Sequence, residues 1–273
     1  MSAVVPELAL LDRVERRVLG AFRCVDATTR ASLHLPLRLV TPPGTRIARN
    51  RSGLFVIYDW PPLDTHTQAF AEAPATPLPG SQPLLLSVSD PLGHYLSRRV
   101  RLALPRNADA AMAADPASIF VPVEVPMFPS GTASVGANWA GLRVSLRDTG
   151  SDDALGGVLL RVLSGGQVLA RGLSDWRGEA LVPVAGIPVT TWSAGPGDVV
   201  VTEIDATLEA YFDPASATRV ARAQVLAGRS PDVLPLVDPV AIEDARAGLP
   251  QASVAISLAA GRPLHVSLGI DVP

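Results

Sequence analysis

Four histidines, one cysteine and 23 arginines with no lysine limit what this chain can do chemically. Without lysine there is no Schiff-base amine, no phosphate-loop ammonium and no Ser-Lys dyad. His34, His66, His94 and His265 are scattered, with no His-x-x-x-His or comparable metal-ligand spacing. Cys24 is alone, which excludes an intrachain disulfide; it lies in an apolar alternating stretch that reads as buried strand. Ser89-Asp90 beside His94 comes nearest to a nucleophile with its base. The Gly-x-Ser-x-Gly elbow is absent, however, and Asp90-Pro91-Leu92-Gly93 has the composition of a β-turn. Asp148, Asp152 and Asp153 have the charge for calcium but not the 12-residue loop, so a solvated turn is expected. Glu203 and Asp205 alternate in a strand pattern and are expected to face solvent together. Gly156-Gly157 and Ser164-Gly165-Gly166 are hairpin signals, not phosphate cradles. The expectation is a chain with no catalytic residue, no metal and no cofactor.

Other residues suit recognition better than reaction. Arg98-Arg99-x-Arg101 is a basic cluster on a strand, where charge discourages edge pairing. The tryptophans, Trp60, Trp139, Trp176 and Trp192, all sit beside turns, where such rings either close a core or anchor a partner. Trp60, Trp176, Trp192, Arg98, Arg99, Arg101, Arg219 and Arg222 are the candidate partner contacts.

These residues need a scaffold, and composition bounds it. The chain has 273 residues, enough for two sandwich domains of roughly 100 residues each. Apolar residues make up 48% and charged residues 18%, the opposite of a disordered chain. The net charge of −3 supplies no field for nucleic acid. Arginine without lysine is consistent with GC-rich coding. The stretch Met1 to Leu11 lacks a basic region followed by a long apolar run, so no signal peptide is expected. No window approaches 18 uninterrupted apolar residues, so no membrane helix is expected. The default location is cytoplasmic, or within an assembled particle.

The 26 prolines and 22 glycines punctuate short segments of β-type alternation. Strand patterns run from Val14 to Cys24, Leu33 to Leu39, Leu54 to Tyr58, Leu84 to Val88 and Val100 to Leu104. In the second half they run from Leu142 to Leu146, Val158 to Leu163, Val168 to Leu173, Ala180 to Val184, Val199 to Ile204 and Leu208 to Phe212. Val254 to Leu258 and Leu264 to Ile270, around Ala260-Gly261-Arg262-Pro263, predict a closing hairpin. Asp213-Pro214 and Asp238-Pro239 each resemble an N-cap followed by proline, predicting helices over Ala215 to Leu226 and Val240 to Ala247. The stretch Glu7 to Leu19 fits either helix or strand. The expected architecture is all-β, with two tandem antiparallel β-sandwich domains. Domain 1 covers residues 1–110. Residues 111–138 form a Pro-rich linker or edge strand. Domain 2 covers residues 139–273, with a short helical insertion at about 213–248.

The halves repeat an order of features. Phe22 to Thr28 and Leu142 to Gly150 are each a strand running into an Asp/Thr turn. Asn50-Arg51-Ser52-Gly53 precedes Leu54 to Tyr58, as Ser174-Asp175-Trp176-Arg177-Gly178 precedes Glu179 to Val182. In that piece the Asx side chain caps the turn and glycine takes positive φ. Leu173-Ser174-Asp175-Trp176-Arg177-Gly178-Glu179-Ala180 resembles the turn signature of the carboxypeptidase regulatory-like, or transthyretin-like (prealbumin-like), sandwich family. Val88-Ser89-Asp90-Pro91-Leu92-Gly93-His94-Tyr95 is similar to that family's late Gly-Tyr element, with one residue between Gly and Tyr. The resemblance covers about two thirds of the chain. It departs at Asn50, at the long stretch from Leu63 to Pro83 and at the late helices.

The resemblance implies a sandwich fold and leaves function open. The first expectation is a non-catalytic structural or adaptor component of a large bacterial assembly, of the kind that prealbumin-like sandwiches decorate: phage tails and contractile injection machines. Its partners would be other protein subunits, with no nucleic acid and no membrane, and Leu63 to Pro83 and Asp213 to Gly248 would form much of the partner surface. Deleting either stretch would then leave a folded protein that no longer assembles. The alternative is a carbohydrate- or protein-binding module, which aromatics aligned on one face would support. A transthyretin-like hydrolase, whose family places histidine and arginine at a tetramer interface, ranks last, because the four histidines here match no such motif.

Overall fold

Alternating apolar and polar residues become strands because period-2 spacing puts every second side chain on one face, where a second sheet can cover it. A computed structural model describes residues 17–69, 72, 74–187, 191–192, 199–200 and 203–273. The first strands are β1 (Gly20–Asp26), β2 (Arg38–Val40), β3 (Arg46–Arg49), β4 (Phe55–Asp59), β5 (Gln82–Ser89), β6 (Arg98–Leu104) and β7 (Val123–Met127). Then come β8 (Ala140–Asp148), β9 (Ala154–Gly156), β10 (Leu159–Ser164), β11 (Gln167–Leu173) and β12 (Glu179–Val184). The last are β13 (Thr191–Trp192), β14 (Val199–Val200), β15 (Glu203–Tyr211), β16 (Thr218–Val220), β17 (Gln251–Ala259) and β18 (Pro263–Ile270). Helices are short: α1 (Asp64–Gln68), α2 (Arg222–Leu226) and α3 (Pro239–Ala245). The all-β class expected from the sequence therefore holds. The alternatives for Glu7 to Leu19, and the reading of Met1 to Leu11, fall largely outside the described residues.

The chain forms two compact units, each assembled from three stretches. The first takes the chain up to Phe22, Pro43–Pro83 and Ala103–Val123; the second takes Arg23–Pro42, Leu84–Leu102 and Glu124–Pro273. In the first unit β3, β4 and the start of β1 lie side by side, with Phe22 opposite Phe55 and their rings stacked at 5.0 Å. Leu19, Ile57 and Leu63 are fully buried beneath them. The Asn50 turn is built as its sequence predicts. Its side-chain oxygen accepts the Leu54 N–H at 2.9 Å, and its carbonyl accepts the Gly53 N–H at 3.0 Å.

In the second unit, β2 pairs with β5, and β6 completes that sheet. Leu84, Leu86, Val88, Val100 and Leu102 supply its buried row. The rest of the unit is a sandwich. One sheet has the order β11-β10-β15-β17; the other has β12-β8-β9-β16, with β18 beside β8. Leu142, Val144, Leu146, Leu160, Val162, Val182, Val184 and Leu208 meet between them, all fully or almost fully buried. Each such burial contributes roughly 1.5–3 kcal/mol.

Three expectations are corrected. The strands of the closing hairpin form, but they do not pair with each other. β17 pairs antiparallel with β15, whereas β18 runs parallel to β8 in the other sheet. Both strands carry an apolar row at even positions, Ala252 to Leu258 and Leu264 to Ile270. Crossing between sheets lets both rows reach one core from opposite sides. The helix expected from Ala215 does not start there. Asp213 caps a single turn, accepting from Ala215 N and Ser216 Oγ, and the chain then forms β16 on β9 with Val220 buried. Only the five residues of α2 become helical. Finally, Leu33 to Leu39 yields strand only at Arg38–Val40, since Pro36 cannot donate to a ladder. By contrast α3 begins as predicted, with the Asp238 side chain accepting from Val240 N at 3.1 Å.

Candidate functional site

The Asp90 and Asp175 turns line one cavity of the second unit. Asp175 accepts N–H bonds from Arg177 at 2.8 Å and Glu179 at 3.1 Å, and its other oxygen pairs with the Arg177 guanidinium at 2.6 Å. Asp90 accepts N–H bonds from Leu92, His94 and Tyr95 at 2.9, 2.8 and 3.2 Å. Asp90, Tyr95, Leu173, Asp175, Trp176 and Val237 all border a cavity of about 210 Å³. The Tyr95 hydroxyl donates to Asp26 Oδ2 at 2.8 Å. Burial, and then that bond, push its phenol above the ordinary value, so it stays neutral. The carboxylates here are spent on holding backbone, which makes the cavity an apolar recess stiffened by turns.

The candidate partner residues fall into separate places. Arg98 is 3% exposed, an internal residue and not a contact. Its guanidinium donates to the Pro126 carbonyl at 2.7 Å, lies 3.7 Å from Asp238 and sits 5.9 Å from the Phe128 ring centre. Burial lowers its pKa to about 10, with Asp238 opposing, so it remains charged at neutral pH. Arg99 and Arg101 point to solvent from the same strand. Trp60 is 7% exposed and belongs to the core of the first unit. Trp176 is half-buried against the Arg177 guanidinium. Trp192 lies in β13, and its side chain is outside the description.

Arg219 and Arg222 do converge, on the acidic turn after β8. Arg219 pairs with Asp148 and lies 3.4 Å from Asp153; Arg222 pairs with Asp152; Arg147 lies 3.8 Å from Asp152. The Ser151 hydroxyl, the Gly150 N–H and Arg219 hold the Asp148 carboxyl below the ordinary carboxylate range. Positive charge already answers each carboxylate. Among the described residues no three His, Cys, Asp or Glu side chains gather as a metal-ligating group. His34, His94 and His265 are exposed, whereas His66 is 5% exposed with its Nδ1 lacking a hydrogen-bond partner. Burial and then Arg17 lower its pKa, so His66 is held neutral, which sequence spacing gave no sign of.

A polar groove crosses the outer face of β12, β8 and β18, past Trp139, Arg143, Glu179, His265 and Ser145. The Ser145 hydroxyl donates to the Glu179 carboxylate at 2.9 Å, not to His265. Among the described residues Trp139 is the sole tryptophan, tyrosine or phenylalanine lining it.

The remaining site is the flank where β17 and β18 end their sheets. On the opposite flank Val168 and Ala170 of β11 are also half-exposed, but the end of that strand is covered. Gly172 of β11 lies against Val182 of β12, and α3 is strapped over β10 and β11 by ion pairs of Arg161 and Arg171 with Glu243. Arg161 Nε is 3.3 Å from Glu243 without hydrogen-bond alignment, so this contact is coulombic. On the β17/β18 flank, Val254, Ile256, Leu264, Val266 and Leu268 pack on the core yet stay half-exposed.

No protein-family model and no curated protein matches the chain. Among solved structures, the Bacillus anthracis TIE protein is similar at 8% identity and a TM-score of 0.27. The alignment covers 93% of this chain and 34% of that one, so this chain spans about a third of that protein's length. A likeness of that size carries no argument about fold or function. No helix among the described residues is long and apolar enough to cross a membrane.

The flank therefore stands on its own geometry. Backbone parity there follows from one bond. Phe212 N donates to Pro250 O at 2.9 Å, in register with Tyr211 opposite Gln251. Even-numbered residues of β17 thus turn their backbone groups toward β15, and odd-numbered ones turn theirs outward. The sequence marked β17 as a strand. It missed the open edge, because which strands lie outermost depends on pairing that spans the whole chain.

Proposed function

We propose that this protein is a non-catalytic structural or adaptor module that joins other protein chains through the β17/β18 flank. The observation that carries the reading is the half-exposed apolar row on that flank beside a strand edge left unpaired among the described residues, a combination suited to sheet extension by another polypeptide. Support also comes from the cavity carboxylates, which are occupied as turn caps, and from the acidic turn, which arginines neutralise. The resemblance to transthyretin-like and carboxypeptidase regulatory-like sandwiches gives the finer form of the proposal: a component of a bacterial contractile injection or phage-tail-like assembly. The test is sedimentation of lysate from the native host, comparing the natural chain with Ser253→Lys/Ser257→Lys. The natural chain is expected to pellet with megadalton particles, and the doubly charged variant to be lost from them. A natural chain confined to the light fraction would sink the proposal.

A further inference from the structure

Sheets end somewhere, and natural proteins guard those ends with charge, proline, bulges or brevity. Among the described residues the end strands obey the rule with one exception; β13 and β14, which pair only with each other, are two residues long. β3 is four residues long, carries Arg46 and Arg49, and has a register shift. β7 holds Glu124 and Pro126; β6 holds Arg98, Arg99 and Arg101; β2 is three residues long. β11 has Arg171 and pairs through a register shift; β12 has Glu179 and Pro183; β16 is three residues long and carries Arg219. β18 opens on Pro263 and carries His265. β17 alone among these end strands, Gln-Ala-Ser-Val-Ala-Ile-Ser-Leu-Ala over nine residues, has no charge and no proline, and its ladder to β15 has no bulge.

We infer that β17 is a homodimer edge: it pairs antiparallel with β17 of a second copy about a two-fold axis at Ala255. This rests on the reading of the flank as a protein-binding edge and names its partner. Ala255 is the middle of the nine residues, so a two-fold there pairs the whole strand with itself. The outward row, Gln251, Ser253, Ala255 and Ser257, is small and neutral, so a strand meeting its own copy brings no like charges together. The N–H and C=O groups of these odd residues, free among the described residues, are the ones antiparallel pairing requires, and Ala255 would exchange both bonds with its counterpart. On the core side, Val254 would lie opposite the copy's Ile256, so the half-exposed rows of two sandwiches would cover each other. The nearest acidic row, Glu203, Asp205 and Glu209 on β15, would stay about 14 Å from the same row of the copy, at three strand spacings. Salt largely screens charges at that range.

The experiment uses the purified full chain in a sedimentation velocity series, with three cysteine variants. Native Cys24 is buried and gives a silent background. The natural chain is expected to sediment at twice the mass of one chain. Ala255→Cys is expected to cross-link to itself on mild oxidation, because a directly opposed pair brings Cα atoms to about 5.5 Å, within disulfide reach. Ser253→Cys and Ser257→Cys are each expected to fail alone and to cross-link when mixed, because position 253 faces position 257 of the copy. Ala255→Lys is expected to halve the mass while keeping the natural circular dichroism spectrum; if that variant fails to fold, Ser253→Lys serves in its place. A natural chain that sediments as a monomer across the series overturns the inference, as does self-cross-linking by Ser253→Cys equal to that of Ala255→Cys. If the chain is a monomer but still pellets with host particles, the edge takes a strand from a different protein. The homodimer then fails while the broader reading stands. If the chain dimerises but stays light in lysate, the reverse holds.

Discussion

The charge on Arg98 shows how a residue type legible in sequence can change role with burial. As part of Arg98-Arg99-x-Arg101 it reads as a solvated edge charge, and two of the three arginines behave that way. Arg98 falls on the inward parity of β6, whose burial alternates strictly, so its guanidinium enters the core side and must be matched there. Asp238, at the N-cap of α3, and the Pro126 carbonyl match it. Arg98→Ala removes both interactions at once and leaves Asp238 without its counter-charge, with an expected loss of about 3–5 kcal/mol. Arg98→Met with Asp238→Asn keeps volume without the stranded charge and is expected to recover more than half of that loss. Urea unfolding of the single and double variants checks this; equal losses in the two would show that packing, not the ion pair, sets the stability there. Parity was readable in the sequence at Arg98. The partner was not, because it lies 140 residues away.

At the scale of elements, turns were the most legible feature. The Asn50, Asp90 and Asp175 turns each form around the side-chain cap their residues predict, since an Asx oxygen and a following glycine act within five residues. Pairing was least legible. Nothing local says that β18 should leave β17 and lie parallel to β8, and the same Asp-Pro signal gives a turn at Asp213 but a helix at Asp238. The difference lies downstream: Thr218 to Val220 finds a ladder partner in β9, whereas Pro239 to Ala245 finds β10 to pack against. A turn prediction can be made quantitative by comparing two glycines. Gly178 has φ +75 and its missing Cβ would stand 2.4 Å from the Leu146 carbonyl oxygen; Gly93 has φ +74 with nothing within 4 Å. Gly93→Ala is expected to cost only the backbone conformation, about 1 kcal/mol, and Gly178→Ala about 2 kcal/mol more. Thermal melts that rank them the other way would show that the Asp175 turn relaxes freely.

At the scale of the whole chain, the sandwich core and the late segment make opposite predictions about what can be removed. The main core draws every residue from 140–272. A smaller cluster adds Phe128 to Leu159, Leu173, Tyr211, Val237 and Ile242. A fragment spanning Trp139–Pro273 keeps both sheets of the sandwich, so it is expected to unfold cooperatively, with a lower Tm than the full chain because Phe128 and the Arg98 pairing of Asp238 are gone. The stretch from Asp213 to Gly248, by contrast, reads in sequence as a detachable helical insertion that partners would grip. In the fold it supplies β16 to pair with β9, Asp238 to neutralise Arg98, and Val220, Val237 and Ile242 to buried positions. Deleting it therefore removes part of a sheet and part of a core, and the expected product has no cooperative melt. Circular dichroism melts of the fragment and the deletion variant, run side by side, separate the two views. A folded deletion variant would restore the insertion reading and move the partner surface from β17 to that segment; an unfolded one, beside a folded fragment, leaves the β17 edge as the surface that can meet another chain without dismantling its own.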